Sequence, residues 1–375
     1  MKILFAGGGT GGHFYPLMAV ANALNIIAEQ EKITKLEMVM MADEPYDQNL
    51  LLQEGVVFKK VYAGKIRRYF SLFNITDMFK TAAGIIKALL NIYTDFPDVI
   101  FSKGGYASLP AVVAAKIFRI PLIIHESDAI PGMVNQWSGK FAKRVAISFS
   151  ETAKFFPKEK TALIGNPIRK DLLNIPKTNV KDFFGLEENM PVVMVIGGSQ
   201  GAKKINDSLL GVLPELIKKI QIIHICGKKN FKEIKGISSL ILEKSEYKSR
   251  YHLFPFMDIS LLKTSYGAAD MAVSRAGSGS IFEIANAGLP SILIPIANSA
   301  QDHQRKNAYI YTSNKAGNVI EEENLSPHLL QSEIEIMLSD KTKMKEMGEE
   351  AKKFSKPDAA EKIAREIISL ALEHA

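Results

Sequence analysis

The feature that most constrains this fold is a glycine-rich loop at residues 7–16, Gly-Gly-Gly-Thr-Gly-Gly-His-Phe-Tyr-Pro, which separates two apolar segments. The run 3–6 before the loop is typical of a buried strand, and residues 17–24 after it are typical of a helix. Glycines let the backbone approach a ligand, and the N–H groups at a helix start favour negative charge. The loop therefore predicts an anion-binding site near the start of the chain.

Two classes of ligand fit this loop. Gly7, Gly9 and Gly12 match the G-x-G-x-x-G pattern of dinucleotide-binding folds, and Asp43 at the end of the next apolar run is a candidate ribose ligand. Asp43 comes about ten positions later than the usual spacing, however, and His13 is unusual in such a loop. No Gly-Lys-Ser/Thr sequence follows, which excludes a P-loop. The loop alone leaves open a dinucleotide and another phosphate-bearing or sugar ligand.

The first half of the chain alternates short apolar runs with helical patterns, which predicts a doubly wound parallel sheet. The predicted strands are 3–6, 36–41, 56–61, 99–101, 122–125, 145–148 and 162–164, and the clearest helices are 76–93, 110–118 and 131–141. Ligands of such sheets bind at the carboxyl ends of the strands. We therefore expect the polar loops 7–12, 102–108 and 125–128 to lie together.

A second glycine loop, Gly-Gly-Ser-Gln-Gly-Ala at residues 197–202, follows the apolar run 192–196 and restarts the alternation. Further predicted strands are 220–225, 251–254, 271–274, 291–295 and 318–320. The polar stretch 171–191 reads as the link between two domains. Two such halves predict an α/β protein of two Rossmann-like parallel-sheet domains facing a cleft. A dehydrogenase normally needs one such loop, so the duplication disfavours that class.

The cysteine content and the hydropathy of the chain restrict the cellular compartment in which it is expected. The single cysteine, Cys226, excludes an internal disulfide and fits a reducing compartment. The apolar start is too short for a signal peptide, and no apolar run is long enough to span a bilayer. We expect a protein that is cytoplasmic or lies on a membrane surface.

The net charge of +7 is modest but unevenly distributed. Between Glu54 and Asp95 the only acidic residue is Asp77, and the region 58–80 mixes lysine and arginine with aromatic and aliphatic residues. This mixture suits an anionic membrane surface, where each basic residue contributes about 1 kcal/mol. An ordinary helix pair with a solvated basic face is the other reading. Nucleic acid is disfavoured, because no recognition motif accompanies the region.

Taken together, the motifs resemble the MurG family of peripheral membrane glycosyltransferases. The resemblance covers essentially the whole chain and rests on Gly-Gly-Thr-Gly-Gly-His at 8–13, His-Glu at 125–126, Gly-Asn-Pro-Ile-Arg at 165–169, Gly-Gly-Ser-Gln-Gly-Ala at 197–202, Asp-His-Gln at 302–304 and Pro-Asp-Ala at 357–359. It implies the GT-B fold, UDP-N-acetylglucosamine as donor and lipid I, the undecaprenyl-diphospho-N-acetylmuramoyl-pentapeptide, as acceptor. It further implies inverting transfer to the 4-hydroxyl of the muramyl sugar, which forms lipid II for peptidoglycan.

The resemblance also implies an organisation and a location. Residues 1–165 would form the acceptor-binding and membrane-binding domain, 166–356 would bind the UDP-sugar, and the closing helix 357–375 would pack back on the first domain. The protein would lie at the cytoplasmic face of the plasma (inner) membrane. No cofactor is expected, and the motifs do not require a metal, although assistance by a divalent ion stays open.

By the same resemblance, Glu283, expected in a first helical turn, would bind the ribose hydroxyls, and backbone groups at Met257 would hold uracil. Asp302 and Gln304 would bind the sugar. Backbone N–H groups of the two small-residue loops would stabilise the charge that develops on UDP. The full set of donor-binding candidates is Thr10, Gly11, Gly12, Asp128, Arg169, Ser199, Met257, Ser278, Gly279, Ser280, Glu283, Asp302 and Gln304.

Catalysis requires a group that removes the proton of the acceptor hydroxyl. His13 is the first candidate for this general base, which contributes typically ~10²–10⁴-fold, and Glu126 is the rival. His13 at this position also suits orienting the helix start or binding the acceptor diphosphate, and residues 10–12 suit the acceptor's phosphates. Asp128 stands where the family often has asparagine, so it accepts but does not donate a hydrogen bond. The acceptor-binding candidates are Gly104, Gly105 and Tyr106.

Three other functions remain open from the sequence. The nearest is a related GT-B enzyme that glycosylates a diacylglycerol lipid. An NAD-dependent oxidoreductase would use the first glycine loop with Asp43. A non-catalytic protein of the membrane surface would use only the basic region.

Overall fold

The computed structural model describes residues 1–64, 73–178, 180–198, 201–297 and 299–374. Ser199 and residues 65–72 of the predicted membrane-binding region lie outside the described residues. The chain divides into two compact units. Unit 1 is Met1–Arg169 with Lys356–Ala375, and unit 2 is Lys170–Ser355.

Unit 1 is built on a seven-stranded parallel sheet in the order β3-β2-β1-β4-β5-β6-β7. Its strands are β1 (Lys2–Ala6), β2 (Glu37–Ala42), β3 (Val56–Lys60), β4 (Val99–Ser102), β5 (Leu122–Glu126), β6 (Arg144–Ile147) and β7 (Thr161–Leu163). Its helices are α1 (Gly11–Gln30), α2 (Gln48–Gln53), α3 (Phe73–Asp95), α4 (Leu109–Phe118) and α5 (Met133–Ser138), with short 3-10 turns at Tyr106–Ser108, Ser150–Phe155 and Lys158–Lys160.

Both faces of this sheet are buried, as expected where helices cover a parallel sheet. Ile3 and Phe5 point to one face, where they pack with Leu17 of α1. Leu4, between them on β1, points to the other face and packs with Val112 of α4. The near-continuous apolar strands in the sequence are explained by this two-sided burial.

Unit 2 repeats the same architecture with a six-stranded parallel sheet in the order β10-β9-β8-β11-β12-β13. Its strands are β8 (Val192–Ile196), β9 (Gln221–Ile225), β10 (Tyr251–Phe254), β11 (Met271–Ser274), β12 (Ser291–Leu293) and β13 (Asn318–Val319). Its helices are α6 (Lys181–Phe184), α7 (Lys203–Leu216), α8 (Phe231–Ile241), α9 (Ile259–Ala268), α10 (Ser278–Ala287), α11 (His303–Ser313), α12 (Pro327–Ser339) and α13 (Lys341–Phe354), with 3-10 turns at Lys170–Leu172, Lys248–Arg250 and Ala300–Asp302.

The last helix, α14 (Ala359–His374), belongs to unit 1. Ile363 and Ile367 are buried in the same apolar cluster as Leu17 and Val20 of α1. The helix therefore completes the cover over one face of the first sheet.

The predicted fold class is confirmed, since both halves form doubly wound parallel sheets. Each of the predicted strands coincides with an observed strand to within one or two residues at either end. The helix predicted at 131–141 is shorter than expected, because α5 covers only Met133–Ser138. In both sheets the strand order reverses beside the first strand, between β1 and β4 and between β8 and β11. Such reversals open the crevice where ligands bind in α/β sheets.

Candidate active site

In unit 1, the loops after β1 and β4 meet at the reversal of strand order. Gly9 has φ +84, and a Cβ at that position would lie 2.9 Å from the hydroxyl oxygen of Tyr106. Gly105 has φ +75, and a Cβ there would lie 3.4 Å from Nε2 of His13. Both positions favour glycine because of their positive φ, and at Gly9 a side chain would also come too close to Tyr106. The structure therefore brings His13 together with the predicted acceptor loop 104–106.

His13 is the third residue of α1. Its backbone N–H donates to the carbonyl of Thr10, and its ring Nδ1 lies 3.0 Å from Oγ1 of Thr10. If Nδ1 donates to Thr10, Nε2 carries the lone pair, on the side of the ring that faces Gly105. This arrangement can accept a proton at Nε2. The predicted residues Gly11 and Gly12 open the helix, where backbone N–H groups lack helical acceptors.

Arg169 lies beside the start of the same helix. Its Cζ is 4.2 Å from the ring centroid of Tyr15, a residue of the first turns of α1. Tyr15 in turn packs edge-on against Tyr46. The stacked ring orients the guanidinium next to the helix N-terminus, so two features that attract anions occur together.

Glu126, the rival base, is 5% exposed at the end of β5. Its carboxylate accepts three hydrogen bonds, from the N–H groups of Asp128 and Gly132 at 3.0 Å each and from the amide of Asn135 at 2.9 Å. Burial raises the pKa of Glu126 above its ordinary value, and the charge of Asp128 raises it further, while the hydrogen bonds from Asn135 and Asp128 oppose the rise. The carboxylate therefore shapes the loop that carries Asp128.

In unit 2, the second reversal of strand order lies between the loops after β8 and β11. Helix α10 begins there at Ser278, and its N-cap, Gly277, supplies no side-chain hydrogen bond. The first N–H groups of the helix, those of Ser278, Gly279 and Ser280, have no acceptor within the helix. Such N–H groups are suited to an anion, as the small-residue loop predicts.

The glycine loop after β8 is packed closely against the loop after β9. A Cβ on Gly201, which has φ +77, would lie 2.2 Å from Nδ2 of Asn230. The side-chain amides of Asn230 and Asn206 both donate to the carbonyl of Cys226, at 3.0 and 3.1 Å. Cys226 itself is buried.

The sequence predicts Glu283 in a first helical turn, but this prediction is wrong. Glu283 is the sixth residue of α10, because the helix begins at Ser278. The field of the helix N-terminus falls off within the first turn, so it does not explain this carboxylate. Oε2 of Glu283 accepts a hydrogen bond of 3.1 Å from the hydroxyl of Tyr266, which orients the carboxylate.

The segment after β12 carries Asp302 and Gln304. Asp302 and the preceding Gln301 have φ values of 57 and 58, and consecutive left-handed residues other than glycine are typical of strained functional segments. The side-chain carbonyl of Gln304 accepts from the N–H of Ile296 at 3.1 Å. The amide nitrogen of Gln304 is therefore the group suited to a ligand.

Met257, the predicted uracil position, is 5% exposed and follows β10. Its side chain is buried beside Oγ of Ser265, with Sδ at 3.2 Å, which leaves recognition to the backbone. The neighbouring Phe256 is 45% exposed, with Nζ of Lys228 at 4.8 Å from its ring centroid.

Comparison with known proteins identifies the family of the chain. The models of the glycosyltransferase family 28 N-terminal and C-terminal domains match residues 3–147 and 192–363. The UDP-N-acetylglucosamine--N-acetylmuramyl-(pentapeptide) pyrophosphoryl-undecaprenol N-acetylglucosamine transferase 2 of Bacillus cereus is 34% identical over 98% of this chain and 99% of its own. The enzyme of that name from Thermoanaerobacter sp. is 34% identical over 99% of this chain and 100% of its own. The chain belongs to the MurG family of glycosyltransferase family 28.

Comparison with solved structures concerns the fold. The crystal structure of Acinetobacter baumannii MurG has a TM-score of 0.72 and 23% identity, and the match covers 98% of this chain and 99% of that one. This likeness shows the GT-B fold. The family makes the chain a glycosyltransferase.

Asp43 was the ribose candidate of the oxidoreductase alternative. Its carboxylate forms an ion pair of 2.7 Å with Lys80.

Two groups of charged residues at these loops are buried, which the sequence did not predict. Arg275 and Glu322 form a buried ion pair in unit 2, and Glu322 also accepts from the N–H of Ala297 at 3.0 Å. The pair ties together the loops after β11, β12 and β13. In unit 1, Lys103 is 1% exposed beside His125. Lysine, arginine and glutamate in polar loops are usually exposed, so the sequence holds no signal for their burial.

Proposed function

We propose that this protein transfers N-acetylglucosamine from UDP-N-acetylglucosamine to the 4-hydroxyl of the muramyl sugar of undecaprenyl-diphospho-N-acetylmuramoyl-pentapeptide. The observation that carries this proposal is the match to relatives whose names specify these substrates, over nearly their whole length. We assign residues 1–165 with 357–375 to the acceptor and 166–356 to the donor.

The donor's diphosphate requires positive potential where charge develops as the anomeric bond breaks. The N–H groups at the start of α10 are suited to that task, and Ser199 in the second glycine loop is its proposed partner. Glu283 would accept from the ribose hydroxyls and the backbone at Met257 would hold uracil. Asp302 and Gln304 would bind the sugar hydroxyls.

In the proposed reaction, the 4-hydroxyl oxygen attacks the anomeric carbon from the face opposite UDP. The new carbon–oxygen bond forms as the bond to the β-phosphate oxygen breaks, so the configuration inverts and UDP leaves with the electron pair. Nε2 of His13 takes the hydroxyl proton. The position of the His13 ring next to Gly105 supports this role, because Gly104, Gly105 and Tyr106 are the proposed acceptor residues.

The remaining unit 1 residues have supporting roles in this proposal. Arg169 binds phosphate with its oriented guanidinium, and Thr10, Gly11 and Gly12 offer the helix N-terminus to the phosphates of either substrate. Glu126 holds the loop that carries Asp128, which accepts from a sugar hydroxyl. A step through a metal is not part of the proposal.

The test is UDP release from UDP-N-acetylglucosamine with and without a short-chain lipid I analogue. Acceptor-dependent release supports the proposal. Release that depends instead on a diacylglycerol acceptor would replace it with the glycolipid alternative. Absence of donor binding, together with binding of a nicotinamide cofactor, would restore the dinucleotide interpretation.

We also propose that the protein works at the cytoplasmic face of the plasma membrane, bound peripherally. None of the described helices is long and apolar enough to cross a membrane. Helix α3 instead presents an exposed apolar stripe, whose members recur at helical spacing: Ile75, Met78, Phe79, Ile86, Leu90 and Tyr93. Lys80 and Lys87 lie along one side of it. Co-sedimentation with anionic vesicles tests this proposal, and equal binding to zwitterionic vesicles would remove its electrostatic part.

A further inference from the structure

A lysine is buried where the proposed acceptor loop begins. Lys103 follows β4 directly, and a Cβ on Gly7 of the first glycine loop would lie 3.1 Å from its Cβ. Burying an amine is unfavourable unless it is hydrogen-bonded. Nζ of Lys103 has two such partners, Nδ1 of His125 at 2.6 Å and Oδ1 of Asn166 at 3.2 Å.

These hydrogen bonds form a closed ring in which each donor and each acceptor can be assigned. Nε2 of His125 lies 2.8 Å from the carbonyl oxygen of Gly165, which only accepts, so Nε2 carries the hydrogen. Nδ1 then accepts from Lys103. Burial keeps the pKa of His125 well below its ordinary value, and the charge of Lys103 lowers it further, so the imidazole stays neutral in this tautomer. The ring closes through the peptide bond from Gly165 to Asn166.

The ring joins three segments that carry proposed substrate contacts. Lys103 precedes Gly104, His125 precedes Glu126, and Asn166 stands in the segment that ends in Arg169. A shift of any one of these segments is therefore transmitted to the other two through buried hydrogen bonds.

Charge supports the same arrangement. Burial lowers the pKa of Lys103, whereas the nearby carboxylates Glu126 and Asp128 raise it. Burial raises the pKa of Glu126, and Lys103 opposes that rise. The groups that act on the amine are His125 and Glu126 of β5, Asp128 after β5, and the neutral Asn166.

We propose that Lys103 is a positioning residue of the transferase, whose buried amine holds the proposed acceptor loop 104–106 against the segment 165–169, which carries Arg169. The inference rests on the proposed function. Lys103 does not touch the reacting atoms in this account; it acts through His125 and Asn166.

The kinetic test compares Lys103→Met with Lys140→Met, which removes a lysine charge from an exposed position of the same unit. Displacement of a positioned group costs up to about a hundredfold in rate, so we expect kcat/KM for the lipid I analogue to fall by about ten- to a hundredfold in Lys103→Met. The affinity for UDP should fall less than kcat/KM, because most of the proposed UDP contacts belong to unit 2 and lie outside the ring. Lys140→Met matches the parent in both measurements.

A double-variant cycle separates this role from general destabilisation. Asn166→Leu removes the second partner of Nζ, and the variant that combines it with Lys103→Met should be no worse than the more impaired single variant. If the losses of the two single variants instead add in the double variant, Lys103 and Asn166 act independently and the ring does not work as a unit. An equal loss of UDP affinity and acceptor kcat/KM would overturn the positioning role.

Amide hydrogen exchange of the substrate-free protein decides the inference independently of activity. We expect faster exchange at residues 103–108 and 165–169 in Lys103→Met and unchanged exchange in Lys140→Met. Unchanged exchange in Lys103→Met would overturn the inference. If that variant does not fold, Lys103→Gln, which keeps a neutral donor, is measured in the same way with the same two outcomes. A parent without acceptor-dependent UDP release would refute the proposed function, while the exchange data still decide whether Lys103 holds the loops.

Discussion

At the scale of single residues, the two crevices differ in the groups that they offer to an anion. In unit 2 the proposed anion site is mainly backbone, at the start of α10 beside Ser278. In unit 1 it combines a helix start with side chains held by neighbours, as Tyr15 holds Arg169 and Thr10 holds His13. Substitutions in unit 1 should therefore have the larger effects on the chemical step.

Replacing His13 with alanine should lower kcat by about 10²–10⁴-fold, because the acceptor hydroxyl loses its general base. The affinity for UDP should change little, since His13 belongs to unit 1. Initial rates of UDP release with the lipid I analogue give the first quantity, and calorimetric titration gives the second. His328→Ala, at an exposed position in α12, is the matched control. Full activity of His13→Ala would transfer the role of base to Glu126.

Glu283 should discriminate ribose from deoxyribose. A hydrogen bond to a charged group is worth about 1.5–3 kcal/mol, so the parent should bind UDP at least about tenfold more tightly than 2′-deoxy-UDP. In Glu283→Gln this preference should largely disappear. Tyr266→Phe, which removes only the hydroxyl that orients the carboxylate, should show an intermediate preference. Equal discrimination by Glu283→Gln and the parent would assign the ribose to another group.

The Arg275–Glu322 pair should contribute stability that depends on pH. Burial raises the pKa of Glu322, but the hydrogen bond from Ala297 and the contact with Arg275 outweigh it, and the folded pKa lies below the ordinary value of 4.5. The contribution is therefore complete above 4.5 and is lost as the pH falls through the lower folded pKa. Chemical unfolding at several pH values measures it.

Glu322→Gln should remove that part of the acid dependence. It should also cost about 3–5 kcal/mol at neutral pH, because Arg275 is left buried without its counter-charge. Glu349→Gln, at an exposed position of α13, should leave both quantities unchanged. An acid dependence that persists in Glu322→Gln would place its origin in other carboxylates.

The sequence predicted the residues with a shared chemical pattern and missed those defined by tertiary contacts. The glycines and small residues of both loops stand out because only they fit such turns. Burial of Lys103 and Glu322 depends on partners 20 or more positions away, such as His125 and Arg275. The second-turn position of Glu283 was missed because the start of α10 at Ser278 has no side-chain cap to mark it.

At the scale of elements, helix α3 has two opposite apolar faces. Ala88 and Ile92 are buried in the core of unit 1, whereas Ile86 is 61% exposed and Phe79 is 68% exposed. A helix with one buried face needs no second apolar stripe for folding. The stripe therefore favours a surface that binds a membrane.

We expect Ile86→Glu to weaken binding to anionic vesicles by about tenfold or more, because it removes the transfer of an apolar side chain and adds repulsion from the lipid charge. Vesicle co-sedimentation measures the affinity, and UDP release with a soluble acceptor analogue should be unchanged. Leu240→Glu makes a similar change at a 76% exposed position of unit 2 and should bind like the parent. Equal binding by Ile86→Glu and the parent would exclude the apolar stripe of α3 as the membrane-binding surface. The arginines at 67 and 68 lie outside the described residues.

At the scale of the whole molecule, the strand order of both sheets follows from rules that act on the sequence. Alternating strands and helices give parallel pairing with right-handed crossovers, and a glycine loop after the first strand marks the reversal of order. The return of α14 to unit 1 has no such local signal. Its apolar spacing shows only that one face is buried, and the partner, α1, is more than 300 residues away.

The assignment of one substrate to each unit can be tested on the intact protein by amide hydrogen exchange. UDP should protect residues 275–283, where α10 presents its first N–H groups and Glu283. The lipid I analogue should protect residues 7–13 and 102–108, because the two loops contact each other through Gly9 and Gly105. A ligand slows exchange where it forms hydrogen bonds or stabilises local structure, so the two maps should differ.

The same maps separate the alternatives. Protection of residues 7–13 by a nicotinamide dinucleotide, with no effect of UDP at 275–283, would reverse the assignment and favour the first loop as a dinucleotide site. A lipid I analogue that protects neither loop, while a diacylglycerol acceptor protects both, would keep the donor site and change the acceptor. Both glycine loops precede helix starts that suit phosphate, so their sequences alone do not tell which loop binds the donor. Protection by UDP that is confined to 275–283 and its neighbouring loops would place the donor site in unit 2.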